Sequence, residues 1–212
     1  LEIRPIDKIP QGALVVLAIG ANEIRSKLRN RFQRFATIIH PRAFVSPSAE
    51  ILKGSVVFAG ATIQARAHIG EHCIINTNSS IDHDCEIQSC VHIAPGANLC
   101  GGVRVGENSL IGVGVSIGPA QMIVPNSIIG AGATVLSNLT KEGCLWTGSP
   151  AKLKKEYQMK SNLEDIPMAM PDITPEETNA VMEVVQSKRL ALGPKIKEFE
   201  MLFAEYTNRK HA

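Results

Sequence analysis

Aromatic side chains are scarce in this chain: they make up 4% of its 212 residues, with a single tryptophan. That is low for a broad globular core and natural for a narrow one filled by aliphatic residues. Charge of either sign is not in excess, and the formal net charge of +2 gives no footprint for nucleic acid. No apolar run is long enough to cross a bilayer, and no secretory signal opens the sequence. Cysteine occurs five times, an odd number without framework spacing, which argues against a disulfide scaffold and for a reducing compartment. These absences lead us to expect a cytoplasmic protein, with neither nucleic acid nor membrane as partner.

What the chain does have is a period of six. From Ile39 to Val135 every sixth residue is aliphatic and mostly β-branched, seventeen positions without a slip: Ile39, Val45, Ile51, Val57, Ile63 and on through Ile123, Ile129 and Val135. The residue four places later is usually small, as at Ala61, Ala67, Cys73, Ser79, Cys85, Ala97 and Ala133. Gly and Asn recur where a chain must turn, from Gly54 and Asn78 to Gly130 and Gly132. Six fits neither an α-helix nor an alternating strand. It fits a hexapeptide β-helix, in which three hexads close one triangular coil and coils stack at roughly 4.8 Å. The expected fold is mainly β, a parallel prism of five to six coils with aliphatic ladders running down its inside. Known hexapeptide prisms wind left-handedly, and the pattern resembles theirs. Cys73 and Cys85 fall on inward small positions and read as buried apolar residues.

The flanks differ. Residues 1–38 hold one βα unit: a strand over Ala13–Ile19, buried on both faces by its continuous apolar run, then a basic amphipathic helix over Glu23–Phe35 with Ile24, Leu28 and Phe32 on one side. This reads as the C-terminal remnant of a small Rossmann-like domain, although no glycine-rich phosphate turn is present. The β-helix domain spans 39–153, with Trp146 expected to cap its lower end. A polar linker follows at 154–165. Residues 166–212 carry two helices, one opening at Thr174-Pro175-Glu176-Glu177 with Ala180, Val181, Val184 and Val185 inward, and one over Ile196–Tyr206 with Ile196, Phe199, Leu202 and Phe203 on one face. Gly193-Pro194 separates them.

A packed prism has no interior cavity, so chemistry belongs on its outer surface, and the densest outward polar cluster is Asn76–Cys85, followed by His92. His83 stands between Asp82 and Asp84. A histidine beside an acid has an oriented tautomer and greater basicity, which suits a general base near neutral pH. A zinc site of the gamma-class carbonic anhydrase kind needs a histidine pair with four residues between, plus a third histidine. His68 and His72 have three residues between them, and His83 and His92 have eight. No metal is expected.

Several of these residues together carry a resemblance: Ala18-Ile19-Gly20-Ala21-Asn22-Glu23-Ile24-Arg25, Ile39-His40-Pro41, Ile75-Asn76-Thr77, Asp82-His83-Asp84-Cys85, His92, Gly130-Ala131-Gly132-Ala133-Thr134 and Gly148-Ser149-Pro150-Ala151-Lys152. Over about residues 1–155 the chain resembles the sialic-acid O-acetyltransferase-type sugar acyltransferases, nearest to the UDP-4-amino-sugar N-acetyltransferases of bacillosamine synthesis. The resemblance implies direct acetyl transfer from acetyl-CoA to a nucleotide-linked amino sugar in a homotrimer. It makes His83 the base and Asp84, a glutamate in the best-matched members, its orienting acid. His92, Gly101, Val113 and Ala131 would contact CoA, with His92 at the thioester carbonyl. Gly20, Asn22 and Asn76 would face the sugar substrate.

The last segment resembles a second family. Ile166-Pro167-Met168-Ala169-Met170-Pro171-Asp172-Ile173-Thr174, Leu192-Gly193-Pro194-Lys195 and Glu198-Phe199-Glu200 are similar to the start of the pyridoxal-phosphate sugar aminotransferases of the DegT/StrS type. The resemblance implies an acetyltransferase–aminotransferase fusion, with pyridoxal phosphate belonging to the remainder of the aminotransferase part and not to these residues. Two rival readings stay open on sequence: a sugar O-acetyltransferase, and a non-catalytic trimeric scaffold for the attached aminotransferase.

Overall fold

The structure is a computed structural model that describes residues 9, 10 and 12–156, together with 179, 182, 183, 186, 199–202, 204 and 205. The chain divides into two units, Leu1–Ser161 and Asn162–Ala212.

The first unit is built on the six-residue period. Seventeen two-residue strands run from β3 (Ile38–Ile39) to β19 (Thr134–Val135), one per hexad, and each pairs in parallel with the strand eighteen residues away. They form three sheets, the three sides of a prism. One internal ladder reads Ile63, Ile81, Leu99, Ile117, Val135, with every member at most 2% exposed. Each such aliphatic contributes about 2 kcal/mol by leaving water. The small residues, Ala61, Ala67, Cys73, Cys85 and Ala97, are likewise buried at the corners. Burial pushes the Cys73 thiol up to about 12 and the Cys85 thiol up to about 11, so neither supplies a thiolate at neutral pH. Below the last hexad, β20 (Cys144–Thr147) adds a further parallel strand in which Trp146 pairs with Ile129 and packs on the end of the core. Strand β21 (Lys152–Glu156) turns back antiparallel against it and so carries regular structure into residues expected to begin a linker.

The turn chemistry differs from expectation in a useful way. Left-handed backbone is adopted by Gly54, Gly60 and Asn78, but also by Arg66, His72, Asp84, Cys90 and Ala120. A left-handed residue with a Cβ costs about 1–2 kcal/mol. The corner hydrogen bonds, such as Asp84 N–H to the Ala65 carbonyl at 3.0 Å and Cys90 N–H to the Glu71 carbonyl at 2.8 Å, hold it in place. Gly112, conversely, has ordinary backbone. It is glycine because a Cβ there would lie 2.5 Å from the Ile129 carbonyl of the next coil.

The three outer faces have distinct chemistry. On one, the outward side chains are Glu50, His68, Glu86 and Arg104, paired along the stack as Glu50–His68 and Glu86–Arg104. A second presents Thr62, Ser80, Asn98, Ser116 and Thr134. The third presents Ile38, Val56, Ile74 and His92, and the N-terminal segment lies on it.

That segment corrects the sequence reading. The strand expected over Ala13–Ile19 is two residues, β1 (Leu14–Val15), paired in parallel, among the described residues, with β2 (Arg34–Phe35) alone. Leu14 is 62% exposed, and Leu17 is the residue of the run that is buried. A two-stranded sheet cannot cover both faces of a strand. The expected helix over Glu23–Phe35 is α1 (Asn22–Leu28) followed by a 3-10 turn at Arg29–Arg31. Cations spaced four apart, Arg25/Arg29 and Lys27/Arg31, disfavour further α-helix. The most deeply buried residue of the helix is Arg25, 1% exposed, and not Ile24 or Leu28.

In the second unit, residues 179, 182, 183 and 186 are helical, as are 199–202, 204 and 205, inside the ranges expected for two helices. Phe199 and Leu202, expected on one face of the second helix, are exposed. About fifty residues bury little core. The start at Thr174, the inward Ala180, Val181, Val184 and Val185, and the break at Gly193-Pro194 lie outside the described residues, as does most of the 154–165 linker.

Candidate functional site

His83 sits on a corner of the prism, between β10 (Ser80–Ile81) and β11 (Glu86–Ile87), and its side chain is 58% exposed. Asp82 Oδ1 accepts its backbone N–H at 2.7 Å. Its Nδ1 lies 2.7 Å from Asp84 Oδ2. Asp84 reaches it because its own backbone is left-handed, with φ of 58°. The same carboxylate takes two bonds from Arg66, Nε to Oδ1 at 2.7 Å and Nη2 to Oδ2 at 2.8 Å. Arg66 stands eighteen residues earlier, at the same corner one coil up. The Arg66 fork, and then His83, hold the Asp84 carboxyl down to about 2. An ionised Asp84 only accepts, so in the neutral imidazole of His83 the proton sits on Nδ1 and the lone pair on Nε2.

Gly101 lies on the same corner one coil down. A Cβ there would be 2.7 Å from both Cε1 and Nε2 of His83. Gly101 therefore gives the imidazole its resting place, a closer role than lining a groove.

A second group forms on the covered face. His92 opens β12 (His92–Ile93), and Asn76 follows β9 (Ile74–Ile75). Asn76 Oδ1 accepts from the Thr77 N–H at 2.8 Å, which turns its Nδ2 toward His92 Nε2 at 3.1 Å. The Gly20 backbone also bonds the His92 ring. Burial first, and the nearby Arg25 charge second, push the His92 imidazole below the usual histidine range, so it is neutral at pH 7. These residues edge a cavity of about 310 Å³ whose walls are otherwise apolar, including Leu17, Ile19, Ile74 and Phe58. An apolar recess with a few convergent polar groups is the usual form of a small-molecule site.

The structure thus brings together His83, Asp84 and Gly101, and separately Gly20, Asn76 and His92. Val113 and Ala131 stack on a different corner, where Gly132 N–H meets the Val113 carbonyl at 2.8 Å and the Val113 side chain is exposed. Asn22 does not line the cavity. Its Nδ2 donates to the carbonyls of Asn108 at 3.1 Å and Ser109 at 2.8 Å.

Two arginines escaped the sequence reading. Arg66 had a signal, since it lies one coil period before Asp84 and carries the opposite charge. Arg25 closes the Ala18–Arg25 motif, but nothing in its local pattern gave it a role or foretold its burial. Buried, it donates from Nε to His72 O at 2.7 Å, from Nη1 to Ile19 O at 2.9 Å and Gly20 O at 3.3 Å, and from Nη2 to Asn22 Oδ1 at 2.9 Å and Cys90 O at 2.8 Å. With Asn22 it ties the 19–22 turn to three successive coils. Arg25→Met leaves the His72 and Cys90 carbonyls buried without these donors and is expected to cost about 3 kcal/mol or more of stability. Limited proteolysis checks this, because the N-terminal segment should be cut before the prism melts.

Among the described residues no three of His, Cys, Asp and Glu cluster as metal ligands, and no helix is long and apolar enough to cross a membrane.

The three-sided hexapeptide prism has the left-handed β-helix fold of known acyltransferases, and a histidine–carboxylate pair stands on its corner. Comparison with known proteins narrows that class. The chain is similar to PerB of Caulobacter crescentus, solved in complex with CoA and GDP-perosamine (TM-score 0.64, 40% identity, 66% of this chain and 69% of that one). It is similar to the acetyltransferase domain of PglB from Neisseria gonorrhoeae FA1090 (TM-score 0.64, 38% identity, 66% and 70%). It is also similar to the GDP-perosamine N-acetyltransferase of Escherichia coli O157:H7, 39% identical over 98 residues, which are 45% of this chain and 43% of that relative. The chain therefore spans less than half the length of this curated relative. Residues 171–212 match the DegT/DnrJ/EryC1/StrS aminotransferase family. The chain belongs to the sugar acyltransferase family that includes PerB and the PglB acetyltransferase domain, and it carries a segment of the aminotransferase family behind that module.

Proposed function

We propose that the chain is an acetyl-CoA-dependent N-acetyltransferase acting on a nucleotide-linked 4-amino sugar of bacillosamine-type glycan synthesis. The observation that carries this reading is the His83–Asp84 pair, with Nε2 presented outward beside the side-chain-free Gly101. Asp84 fixes the tautomer and balances the imidazolium that forms. His83 Nε2 takes the proton of the amine as its nitrogen bonds to the acetyl carbonyl carbon. The carbon–sulfur bond breaks as the amide forms, and the proton passes from His83 to the departing CoA thiolate. No acyl-enzyme is needed, which agrees with buried, protonated Cys73 and Cys85.

Acetyl-CoA would lie along the corner of Val113 and Ala131, where small exposed residues leave room. The amino sugar would enter beside Gly20 and Asn76, with His92 at the thioester carbonyl of acetyl-CoA. Because His83 and Val113 stand on different corners of one prism, a complete site needs two neighbouring copies, and the working form is a homotrimer in the cytoplasm. The 1–38 segment would belong to the nucleotide-sugar-binding domain, 39–153 to the acyltransferase, and residues from 166 to the aminotransferase that supplies the amine.

The test is release of free CoA thiol from acetyl-CoA with a nucleoside-diphosphate 4-amino sugar. Turnover that needs both substrates is expected. A trimer that releases no thiol with any such sugar would leave the prism as a scaffold for the aminotransferase part.

A further inference from the structure

We propose that Arg66 is a positioning residue of the acetyl-transfer site, which fixes the Asp84 carboxylate in one plane and thereby holds His83 in its productive tautomer and orientation. The proposal rests on the reading of His83 as the base. Both oxygens of Asp84 are engaged by the fork of Arg66, at 2.7 Å to Oδ1 and 2.8 Å to Oδ2, and Oδ2 is shared with His83 Nδ1 at 2.7 Å. A lone exposed carboxylate on a short side chain can rotate between rotamers. Two parallel bonds from a planar guanidinium leave it one orientation, in which a lone pair of Oδ2 faces the imidazole.

Arg66 is itself placed by the fold: it holds a left-handed corner, φ 59°, and its N–H donates to Ser48 Oγ at 3.2 Å. The order Arg66, Asp84, Gly101 stacked against His83 is set by the eighteen-residue coil. The other charged group beside His83 is Asp82, bonded to the His83 backbone N–H. Gly101, against the imidazole, carries no charge, and neither does Ala65, one coil earlier in register. The arginine also offsets part of the Asp84 charge. It therefore limits how strongly the carboxylate stabilises the imidazolium as it forms.

Arg66→Met, Arg66→Lys, Asp84→Asn and the double variant Arg66→Met/Asp84→Asn test this. Arg66 is exposed, so Arg66→Met should fold with unchanged melting temperature. Its kcat should fall about tenfold with both KM values unchanged, and the acid limb of its pH–rate profile should move upward by about half a unit or more as Asp84 loses its compensating cation. Arg66→Lys should recover only part of kcat, because an ammonium cannot make the fork. In the double variant the arginine change should add nothing to the loss from Asp84→Asn. The titration of His83, followed by NMR of histidine labelled at Cε1, should move upward in Arg66→Met whether or not the chain turns over. It therefore separates failure of this proposal from failure of the acetyltransferase reading. An unchanged or lowered His83 titration, or a rise in the acetyl-CoA KM alone, overturns the proposal and makes Arg66 a surface or phosphate contact.

Discussion

Replacing His83 with alanine is expected to lower kcat for acetyl transfer by at least a hundredfold, with melting temperature and oligomeric state unchanged. A positioned general base typically contributes about 10²–10⁴-fold, and the side chain is exposed, so its loss opens no cavity in the core. The amine must lose its proton as it attacks, and the group built to accept it is Nε2, freed because Nδ1 is committed to Asp84. Both KM values should stay close to those of the parent, since the interaction is made in the transition state. Steady-state kinetics of the two purified proteins checks this. A loss below about tenfold would show that the amine loses its proton without help, and would remove His83 from the mechanism.

Gly101→Ala should be nearly as damaging through one added methyl. Its Cβ would stand 2.7 Å from Cε1 and Nε2, well inside contact distance, with no left-handed φ to make glycine necessary for the backbone. Either the coil or the imidazole must give, and the half-exposed ring is the softer of the two. Turned aside, it loses its alignment with Asp84 and with the incoming amine, and a misplacement of about 1 Å can cost about a hundredfold. The expected result is a fall in kcat of about ten- to a hundredfold at unchanged thermal stability, with a displaced His83 ring signal by NMR. Wild-type kcat in Gly101→Ala would mean that the ring moves freely and that the stacking has no role.

The prism was legible because its energetics repeat. Every inward position asks for the same thing, so Ile63, Ile81 and Ile117 speak with one voice, and a single period predicts all seventeen strands. The N-terminal segment was less legible because its burial is imposed from outside. The apolar run from Ala13 to Ile19 has no alternation to tell its faces apart, yet Leu14 is exposed and Leu17 is buried. Arg25 is buried only because the prism offers it carbonyl oxygens. Local amphipathicity places Ile24 and Leu28 inward and has no means of anticipating that partner. At the corners, a preference for glycine and asparagine does not foretell Asp84 in the left-handed region, since the carbonyl that holds its N–H belongs to Ala65, nineteen residues away.

The pairing of His83 with Asp84 was readable from adjacency and chemistry. The roles of Arg66 and Gly101 follow only from stacking, one coil above and one coil below, and they become visible once the eighteen-residue repeat is treated as a distance in space. Asn22 shows the converse. A polar residue in a substrate-like motif, it spends its amide on the Asn108 and Ser109 carbonyls and on Arg25, tying the turn down, while Gly20 two residues before it lines the cavity.

The most direct measurement of the central claim is acetyl transfer to a matched pair of acceptors, a nucleoside-diphosphate 4-amino sugar and its 4-hydroxy counterpart, with the product bond identified by mass spectrometry and NMR. The account predicts an N-acetyl amide from the amine, dependent on His83, and no product from the alcohol. An ester formed on the hydroxyl sugar at a comparable rate, or an amide formed equally well by His83→Ala, would contradict it.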